Sequence, residues 1–309
     1  MAITRMSDTP NMLLAGSDAQ FNKAAKKPRR QYWKEICSVR NQSKLVGNYD
    51  TIGNLSAAEK HVEGTTIVFD KIAESNRTYI TSGVYDKAVA ATLEAQEFDQ
   101  YNVVAAQFGE PLVAALNTKK ERVVADVYNG VFTATGADGV YLASDSHPLK
   151  NNTALLNDNL VTGALSNESL RAAKNMFNFT YNQAGDYFDT QPTHLLIHPN
   201  KMFQALELLN STLTAWQLSN TKNVLQDVAP IKIISNPYLT YNVTTDVSPW
   251  FMLDMSLDGA GCILQVKKGL TLKTWFEEAE LDSLKGVAYE MYGAGMVAPG
   301  YGFVASTGA

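Results

Sequence analysis

The sequence predicts a mixed α+β fold, and three observations support that prediction. Apolar residues recur at three-to-four spacing between residues 99 and 129, which indicates a long helix. Short runs rich in β-branched and aromatic residues, bounded by turn residues, precede and follow this helix. Between residues 166 and 254, helical and strand patterns alternate, as in a compact block of helices and strands. With 309 residues, 45% of them hydrophobic, the chain can bury a sizeable core.

The first 45 or so residues show no sustained hydrophobic period and are predicted to form an arm. A basic cluster surrounds Pro28 and consists of Lys23, Lys26, Lys27, Arg29, Arg30 and Lys34, of which the first five are the predicted arm contacts. These side chains could contact phosphates or an acidic partner, and a solvated charge run is the simpler interpretation. Because free termini are usually disordered unless they are tied down, we expect a neighbouring subunit to hold the arm.

A long, projecting hairpin is predicted between Asn48 and Gly83, with strands at residues 65–69 and 78–81. The sequence of residues 56–59 matches a capping box and permits a short helix at the tip. The apolar residues expected to contact a neighbouring subunit are Ile67, Phe69, Ile72, Tyr79 and Ile80. They are too few to form a separate core, and an isolated two-stranded hairpin is marginally stable in water.

The predicted long helix begins with Asp99 as a plausible N-cap and ends at Asn129-Gly130. Its apolar stripe comprises Tyr101, Val104, Phe108, Leu112, Ala115, Val123 and Val127. Gly109 and Pro111 interrupt the pattern, and an interior proline removes a backbone hydrogen bond. The segment is therefore either one kinked helix or two abutting helices.

The block that follows begins with a helix capped by Ser166 and extending to about Phe179. Strands are predicted at residues 193–198, 231–235 and 250–254, and Pro199 marks the first turn of another helix over residues 202–209. In the tail, strands are predicted at residues 263–266, 270–276 and 287–292, before a glycine-rich stretch.

The composition argues against several classes of function. With 26 basic and 31 acidic residues the net charge is −5, so the chain as a whole lacks the charge of a nucleic-acid binder. Charged residues make up only 18%, which suits a surface covered by neighbouring subunits. The N-terminal apolar stretch is too short for a signal peptide, and no run approaches about 18 apolar residues, so we expect a soluble protein that is not secreted. Cys37 and Cys262 are expected to be buried small hydrophobes.

Two groups of residues are of types used in catalysis or metal binding, but their spacing argues against both functions. Asp145, Ser146 and His147 are consecutive, and consecutive extended residues alternate faces, so a turn ahead of Pro148 is favoured over a hydrolase relay. His194 and His198 lie on a predicted strand, roughly 13 Å apart at about 3.3 Å per residue, too far to share one ion. We expect no catalytic residue, no cofactor and no metal site.

Six segments of the sequence, in chain order, resemble those of a known family: EAQEFDQY (94–101), TKKERVVADVYNGVF (118–132), DGVYLASDSHPL (138–149), LSNESLRAA (165–173), PTHLLIHP (192–199) and IISNPYLT (233–240). Their order and spacing resemble the Mu-type head subunit family of tailed-bacteriophage major capsid proteins, which have the Hong Kong 97-type fold. The resemblance spans about residues 45 to 300.

The resemblance implies an N-terminal arm (1–47), an extended E-loop hairpin (48–83), a peripheral P domain with a long spine helix (84–150 and 256–309), and an inserted axial A domain (151–255). No long N-terminal scaffolding segment is present, so we do not expect proteolytic maturation.

The implied function is that of a structural capsid protein and not an enzyme. Copies would pack as hexamers and pentamers into an icosahedral head that encloses double-stranded DNA without reading its sequence, with portal, scaffold or decoration proteins as further partners. The head would assemble in the host cytoplasm and the subunit would reside in the virion, with no membrane partner. Two alternatives stay open: an encapsulin-like compartment shell, distinguished by particles without nucleic acid, and a cytoplasmic hydrolase using His147 and Ser146, distinguished by a monomer with turnover.

Overall fold

A computed structural model describes most of the chain. The described residues are 10–26, 31–52, 58, 60–64, 66–67, 69, 74–92, 94–95, 103–150, 154–211, 222–223, 225, 230–257, 261–277, 283–297 and 301–309.

The described helices, in chain order, are α1 (Pro10–Lys26), α2 (Trp33–Ile36), α3 (Val103–Gln107), α4 (Glu110–Asn129), α5 (Asn167–Asn178) and α6 (Met202–Asn210), with 3₁₀ turns at Gly130–Phe132 and Pro199–Lys201. The described strands are β1 (Cys37–Asn41), β2 (Val46–Ile52), β3 (Glu74–Thr81), β4 (Gly83–Ala91), β5 (His147–Pro148), β6 (Leu156–Asn157), β7 (Leu160–Val161), β8 (His194–Ile197), β9 (Lys232–Ser235), β10 (Trp250–Leu253), β11 (Cys262–Glu277), β12 (Ser283–Met296) and β13 (Phe303–Ser306). None of these helices is long and apolar enough to cross a lipid bilayer.

Within the predicted arm, residues 10–26 form helix α1, for which the sequence showed no sustained hydrophobic period. This helix contacts α3, α4 and β11 of its own subunit. Phe21 is its buried anchor and packs with Phe108 and Leu112. The apolar residues of this segment do not follow a sustained three-to-four spacing, so the sequence does not indicate a helix, and Phe21 fills a site that the rest of the subunit provides.

The strand predicted at residues 78–81 is confirmed as part of β3, which pairs antiparallel with β2, a strand that was not predicted, with Val46 opposite Thr81. Arg77 and Asp50 form an ion pair across the two strands. Contrary to the prediction of a strand at residues 65–69, the described residues Thr66, Ile67 and Phe69 lie outside any strand. Of the predicted tip helix, only Ala58 is described and it is not helical; the other residues of 56–59 lie outside the described ranges.

The predicted interruption of the long helix separates two helices, α3 and α4. Pro111 lies in the first turn of α4, where its missing N–H costs no helical hydrogen bond. The helix ends at Asn129, as predicted, whereas Asp99 and Tyr101 lie outside the described residues. The buried stripe of α4 runs through Leu112, Leu116, Val124 and Tyr128, so the predicted Val123 and Val127 only flank it.

The first sheet contains four strands in the order β1-β11-β12-β4. β1 runs parallel to β11, and the pairs β11–β12 and β12–β4 are antiparallel. The two strands predicted at residues 263–266 and 270–276 are one long strand, β11, whose pairing shifts register between Val266 and Thr271. Helix α4 contacts β12 and β4, which buries the helix stripe against this sheet.

The second sheet contains five strands in the order β7-β13-β10-β8-β9. Strands β8, β9 and β10 agree with the predicted positions, as does α5, whose N-cap Ser166 accepts a hydrogen bond from the backbone N–H of Ser169 at 3.1 Å. Helices α5 and α6 bury their apolar residues in one core cluster with β8 and β10. β13 was not predicted, and it places residues 303–306 in the sheet of the 151–255 block rather than with the rest of the tail.

Candidate functional site: assembly surfaces and the arm junction

Three of the five apolar residues predicted for the hairpin are exposed. Ile67 and Phe69 expose 65% and 87% of their surface, and Tyr79 is also exposed. Ile80 is only 4% exposed and packs with Ile263 and Val297. Ile80 is therefore a core residue of its own subunit, and its assignment to an intersubunit contact is wrong. Ile72 lies outside the described residues.

The base of the hairpin is fixed to the first sheet through Gln265. This fully buried side chain donates from Nε2 to Ser82 Oγ at 2.7 Å, and Tyr49 donates its hydroxyl to Gln265 Oε1 at 3.1 Å. A Cβ at Gly47 would lie 1.9 Å from Gln265 Oε1, so only glycine permits this close approach. Sequence reasoning missed Gln265 because a lone glutamine in a strand carries no pattern.

The basic arm cluster is described only in part. Lys23 and Lys26 are exposed near the last turn of α1. Lys27, Arg29 and Arg30 lie outside the described residues. The two described lysines stand near the negative end of the helix dipole, where cationic side chains are favourable whatever else they contact.

A buried carboxylate fastens the junction between α1 and β1 to helix α4. Glu121 accepts the backbone N–H of Trp33 at 3.1 Å through Oε2 and at 3.3 Å through Oε1, at the start of α2. Burial raises the pKa of Glu121 to about 7, while the backbone N–H groups of Tyr32 and Trp33 and the charge of Lys120 act in the opposite direction. Tyr128 adds a second attachment, since its hydroxyl donates to the carbonyl oxygen of Ile36 at 2.6 Å.

The neighbouring Lys120 connects the same junction to β12. Its ammonium lies 2.5 Å from Glu290 Oε2 and 5.0 Å from the ring centres of both Trp33 and Tyr292. Burial raises the pKa of Glu290, and Lys120 opposes that rise. Within the described residues, Glu290 Oε1 and the Tyr292 hydroxyl have no hydrogen-bond partner. Sequence reasoning missed this network, because a Lys-Lys-Glu run on a helix is typical of a solvated face.

His147 and Pro148 form the short strand β5 instead of the predicted turn, and the contacts of His147 contradict the hydrolase relay. His147 is buried; its Nδ1 lies 2.6 Å from Asp138 Oδ2 and its Nε2 lies 3.2 Å from Asn159 Oδ1. Ser146 instead faces Ser144, with the two hydroxyl oxygens 3.3 Å apart. Both ring nitrogens of His147 are therefore engaged by groups that hold the loop, and neither is aimed at Ser146 Oγ.

His194 and His198 each contact a different neighbouring side chain. His194 Nδ1 lies 2.9 Å from Thr193 Oγ1, and His198 stacks on Tyr241 with ring centres 4.7 Å apart. Burial lowers the pKa of each histidine. Among the described residues, no group of three or more histidine, cysteine, aspartate or glutamate side chains could hold a metal ion.

The two cysteines are buried, as predicted. Cys37 and Cys262 lie opposite each other on β1 and β11 and belong to the same core cluster. Burial raises the pKa of the Cys37 thiol well above its usual value, and contact with Cys262 adds to the rise. The pair therefore behaves as two small core side chains at the edge of the first sheet.

Solved structures with a similar fold include two cyanophage capsids and an encapsulin complex. The capsid structure of the cyanophage P-SCSP1u has a TM-score of 0.60 at 15% identity, covering 88% of this chain and 86% of that one. The cyanophage Pam1 capsid asymmetric unit has a TM-score of 0.53 at 15% identity, covering 90% and 92%. The SrpI encapsulin complex of Synechococcus elongatus PCC 7942 has a TM-score of 0.52 at 9% identity, covering 92% and 89%. At these identities the likeness shows the mixed α+β fold alone.

The sequence of the chain matches none of the curated proteins with which it was compared. A family model described as phage capsid protein matches residues 76–305. This match includes the long helix α4, three of the four strands of the first sheet and nearly all of the second sheet. The chain therefore belongs to the phage capsid protein family, and it is a structural protein of the virion rather than an enzyme.

Proposed function

We propose that the chain is the major capsid subunit of a tailed phage with the Hong Kong 97-type architecture, and that it belongs to the Mu-type head subunits. Copies assemble as hexamers and pentamers into an icosahedral head. The observation that supports this most strongly is the family match over residues 76–305, which covers most of the chain. The low charged fraction of 18% suits a subunit whose surface is largely covered by its neighbours.

In this proposal, residues 1–47 are the arm, residues 48–83 the E-loop hairpin, and residues 84–150 with the tail from 256 the P domain, in which α4 is the spine helix. Residues 151–255 form the A domain, to which β13 is added because it pairs with β10 and β7. The hairpin contacts a neighbouring subunit through Ile67, Phe69, Ile72 and Tyr79. Burying one such Phe or Ile contributes about 1.5 to 3 kcal/mol, repeated in every copy.

The head encloses double-stranded DNA without reading its sequence, because the net charge of −5 leaves only local basic clusters to contact phosphates. The cluster of Lys23, Lys26, Lys27, Arg29 and Arg30 is the candidate for such a contact or for an acidic partner. Portal, scaffold or decoration proteins complete the assembly, which takes place in the host cytoplasm.

A second candidate is an encapsulin-like compartment, favoured by the fold shared with the SrpI encapsulin. The experiment that separates the two is electron microscopy of purified native particles, combined with nuclease treatment and extraction of protected nucleic acid. Closed shells with protected double-stranded DNA support the phage head. Closed shells with enzyme cargo and no nucleic acid support the compartment, and a monomer across a wide range of salt and concentration contradicts both.

A further inference from the structure

Two cysteines lie opposite each other at the edge of the first sheet. The chain of 309 residues contains only Cys37 and Cys262. They are paired in register, Cys37 at the start of β1 and Cys262 at the start of β11, which run parallel. Neighbouring strands lie about 4.8 Å apart, and a disulfide joins residues whose Cα atoms are about 4.4 to 6.8 Å apart. The backbone therefore already holds the two residues at a separation that a disulfide can span.

The two side chains also pack in the same part of the core. Both are buried in one cluster with Val124 and Tyr128. The Cys37 thiol is in hydrogen-bonding contact with Cys262. Each thiol therefore has the other cysteine as an immediate neighbour within the subunit. Joining them requires the two sulfur atoms to close a short gap and leaves the register of the strands intact.

The reduced pair is protected while β1 is in place. Burial raises the pKa of the Cys37 thiol well above its usual value, and contact with Cys262 adds to the rise. The thiolate is the form that attacks disulfides, so a buried and protonated thiol reacts slowly. β1 is a strand of five residues at the edge of the sheet order β1-β11-β12-β4. Such an edge strand opens locally at a lower free-energy cost than the whole fold, and each opening exposes Cys37.

We propose that Cys37 and Cys262 form an intrachain disulfide when the finished subunit meets a low-molecular-weight disulfide outside the reducing host cytoplasm. During an opening of β1, the Cys37 thiol gives its proton to water, and its thiolate attacks one sulfur of the small disulfide. The small thiolate that leaves takes up a proton. The Cys262 thiolate then attacks the Cys37 sulfur of the mixed disulfide and releases the second small thiol in the same way. The two cysteines lose two electrons and two protons in total, and the small disulfide is reduced to two thiols.

The bond changes the stability of the subunit without changing its fold. It closes the chain into a loop from residue 37 to residue 262, which contains the hairpin, α4 and the second-sheet strands up to β10. A crosslink across so long a loop strongly restricts the unfolded chain. It also attaches β1, which directly follows α2, covalently to β11. The contact between Glu121 and Trp33 at this junction depends on ionisation, whereas the disulfide does not.

The test uses wild-type particles, or the full chain if it does not form shells. The protein is incubated with oxidised glutathione, in buffer and in urea below the unfolding transition, and free thiols are then blocked with an alkylating reagent in denaturant. Peptide mapping without reduction should show the Cys37 peptide joined to the Cys262 peptide. The joined form should appear faster in urea, because β1 opens more often. The thermal midpoint should rise by about 5 to 10 °C over that of the reduced protein.

The matched controls are Cys37→Ala and Cys262→Ala. Each keeps a small core side chain, and its thermal midpoint should be the same in oxidising and reducing buffer. Peptide mapping of the wild type gives the decisive outcome without relying on the variants. If both cysteines are alkylated, or if each carries its own glutathione, in buffer and in urea alike, the disulfide is overturned.

The setting of the reaction rests on the proposed function, and the same experiment separates the two. Normal shells whose cysteines never join overturn the disulfide and leave the proposed function standing. Joined peptides in a chain that never forms shells overturn the proposed function and leave the disulfide standing.

Discussion

The carboxylate of Glu121 accepts the backbone N–H of Trp33 at 3.1 Å, across a separation of 88 residues in the chain. This contact holds the start of α2, which leads directly into β1, against helix α4. The contact is buried, so its strength depends on the ionisation of one side chain.

The first prediction concerns pH. The pKa of Glu121 is raised to about 7 in the folded chain from an ordinary value of 4.5, so the folded state binds the proton more tightly than the unfolded state. The stabilising contribution of this group is present below about pH 4.5 and is lost as the pH rises through about 7. Glu121→Gln should remove about 1 to 2 kcal/mol of that pH dependence, because the amide oxygen still accepts from Trp33 without a charge. Urea unfolding between pH 5 and 8.5 measures it.

The matched control for that experiment is Asp126→Asn, an exposed acidic residue on the same helix. Asp126→Asn should leave the pH dependence of the unfolding free energy unchanged. If Glu121→Gln and Asp126→Asn give the same slope as the wild type, Glu121 does not set the pH dependence of the junction.

The second prediction concerns the ion pair of Lys120 and Glu290. Lys120→Met should lower the unfolding free energy by about 3 to 5 kcal/mol, because it leaves the buried Glu290 carboxylate unpaired. Adding Glu290→Leu should recover most of the loss, since replacing both partners by apolar residues removes the unpaired charge. Guanidinium unfolding of the two single variants and the double variant measures the coupling. Losses that simply add in the double variant would contradict it.

The third prediction concerns the hairpin. Replacing residues 55–75 with a short Gly-Ser turn should preserve the circular dichroism of the subunit and prevent stable shells in sedimentation. The described apolar residues of this segment include Ile67 and Phe69, which are exposed and add little to the subunit core. Folded protein that still forms equally stable particles would show that the hairpin is not an intersubunit element.

A matched pair of point variants sharpens that experiment. Phe69→Ala should change the unfolding free energy of the subunit by less than about 0.5 kcal/mol and weaken shells. Ile80→Ala should lower it by about 2 to 5 kcal/mol, because it opens a cavity beside Ile263 and Val297. Equal effects of both variants on the isolated subunit would refute the division between exposed and buried hairpin residues.

The fourth prediction concerns the loop of His147. His147→Ala should lower the unfolding free energy by about 1 to 3 kcal/mol, since Asp138 and Asn159 lose a buried partner. Ser146→Ala should have an effect below about 0.5 kcal/mol. Neither change should alter any hydrolytic activity of the preparation. An ester or peptide hydrolysis that the pair of substitutions abolishes would contradict the structural role.

Local patterns predicted the elements that bury a continuous stripe, namely α4, α5 and strands β8 to β10. They failed where packing partners are distant in sequence. The buried stripe on α4 contains Val124 and Tyr128 instead of the predicted Val123 and Val127. The prediction carried the spacing of apolar residues across the break, whereas a new helix begins at Glu110 beside Pro111. α1 was missed because its apolar residues do not follow a sustained helical spacing.

The candidate site was predictable only in part. Tyr79 and Ile80 are adjacent on a strand, so alternation requires them to face opposite sides, but the sequence alone does not say which side is covered. The structure shows that Ile80 faces the core. Glu121 and Glu290 were missed, since nothing local distinguishes a buried carboxylate from a solvated one when its partners, Trp33 and Lys120, lie far away in the chain.

The position of β13 between β7 and β10 has a consequence for biosynthesis. Strand β10 and helices α5 and α6 emerge from the ribosome before β13 exists, so the second sheet lacks an interior strand until residue 306 has been added. The same delay applies to β1, whose partner β11 begins only at Cys262. At roughly 5 to 20 residues per second, translation itself therefore postpones the mature subunit surface. Both sheets are therefore completed only after most of the chain has been translated.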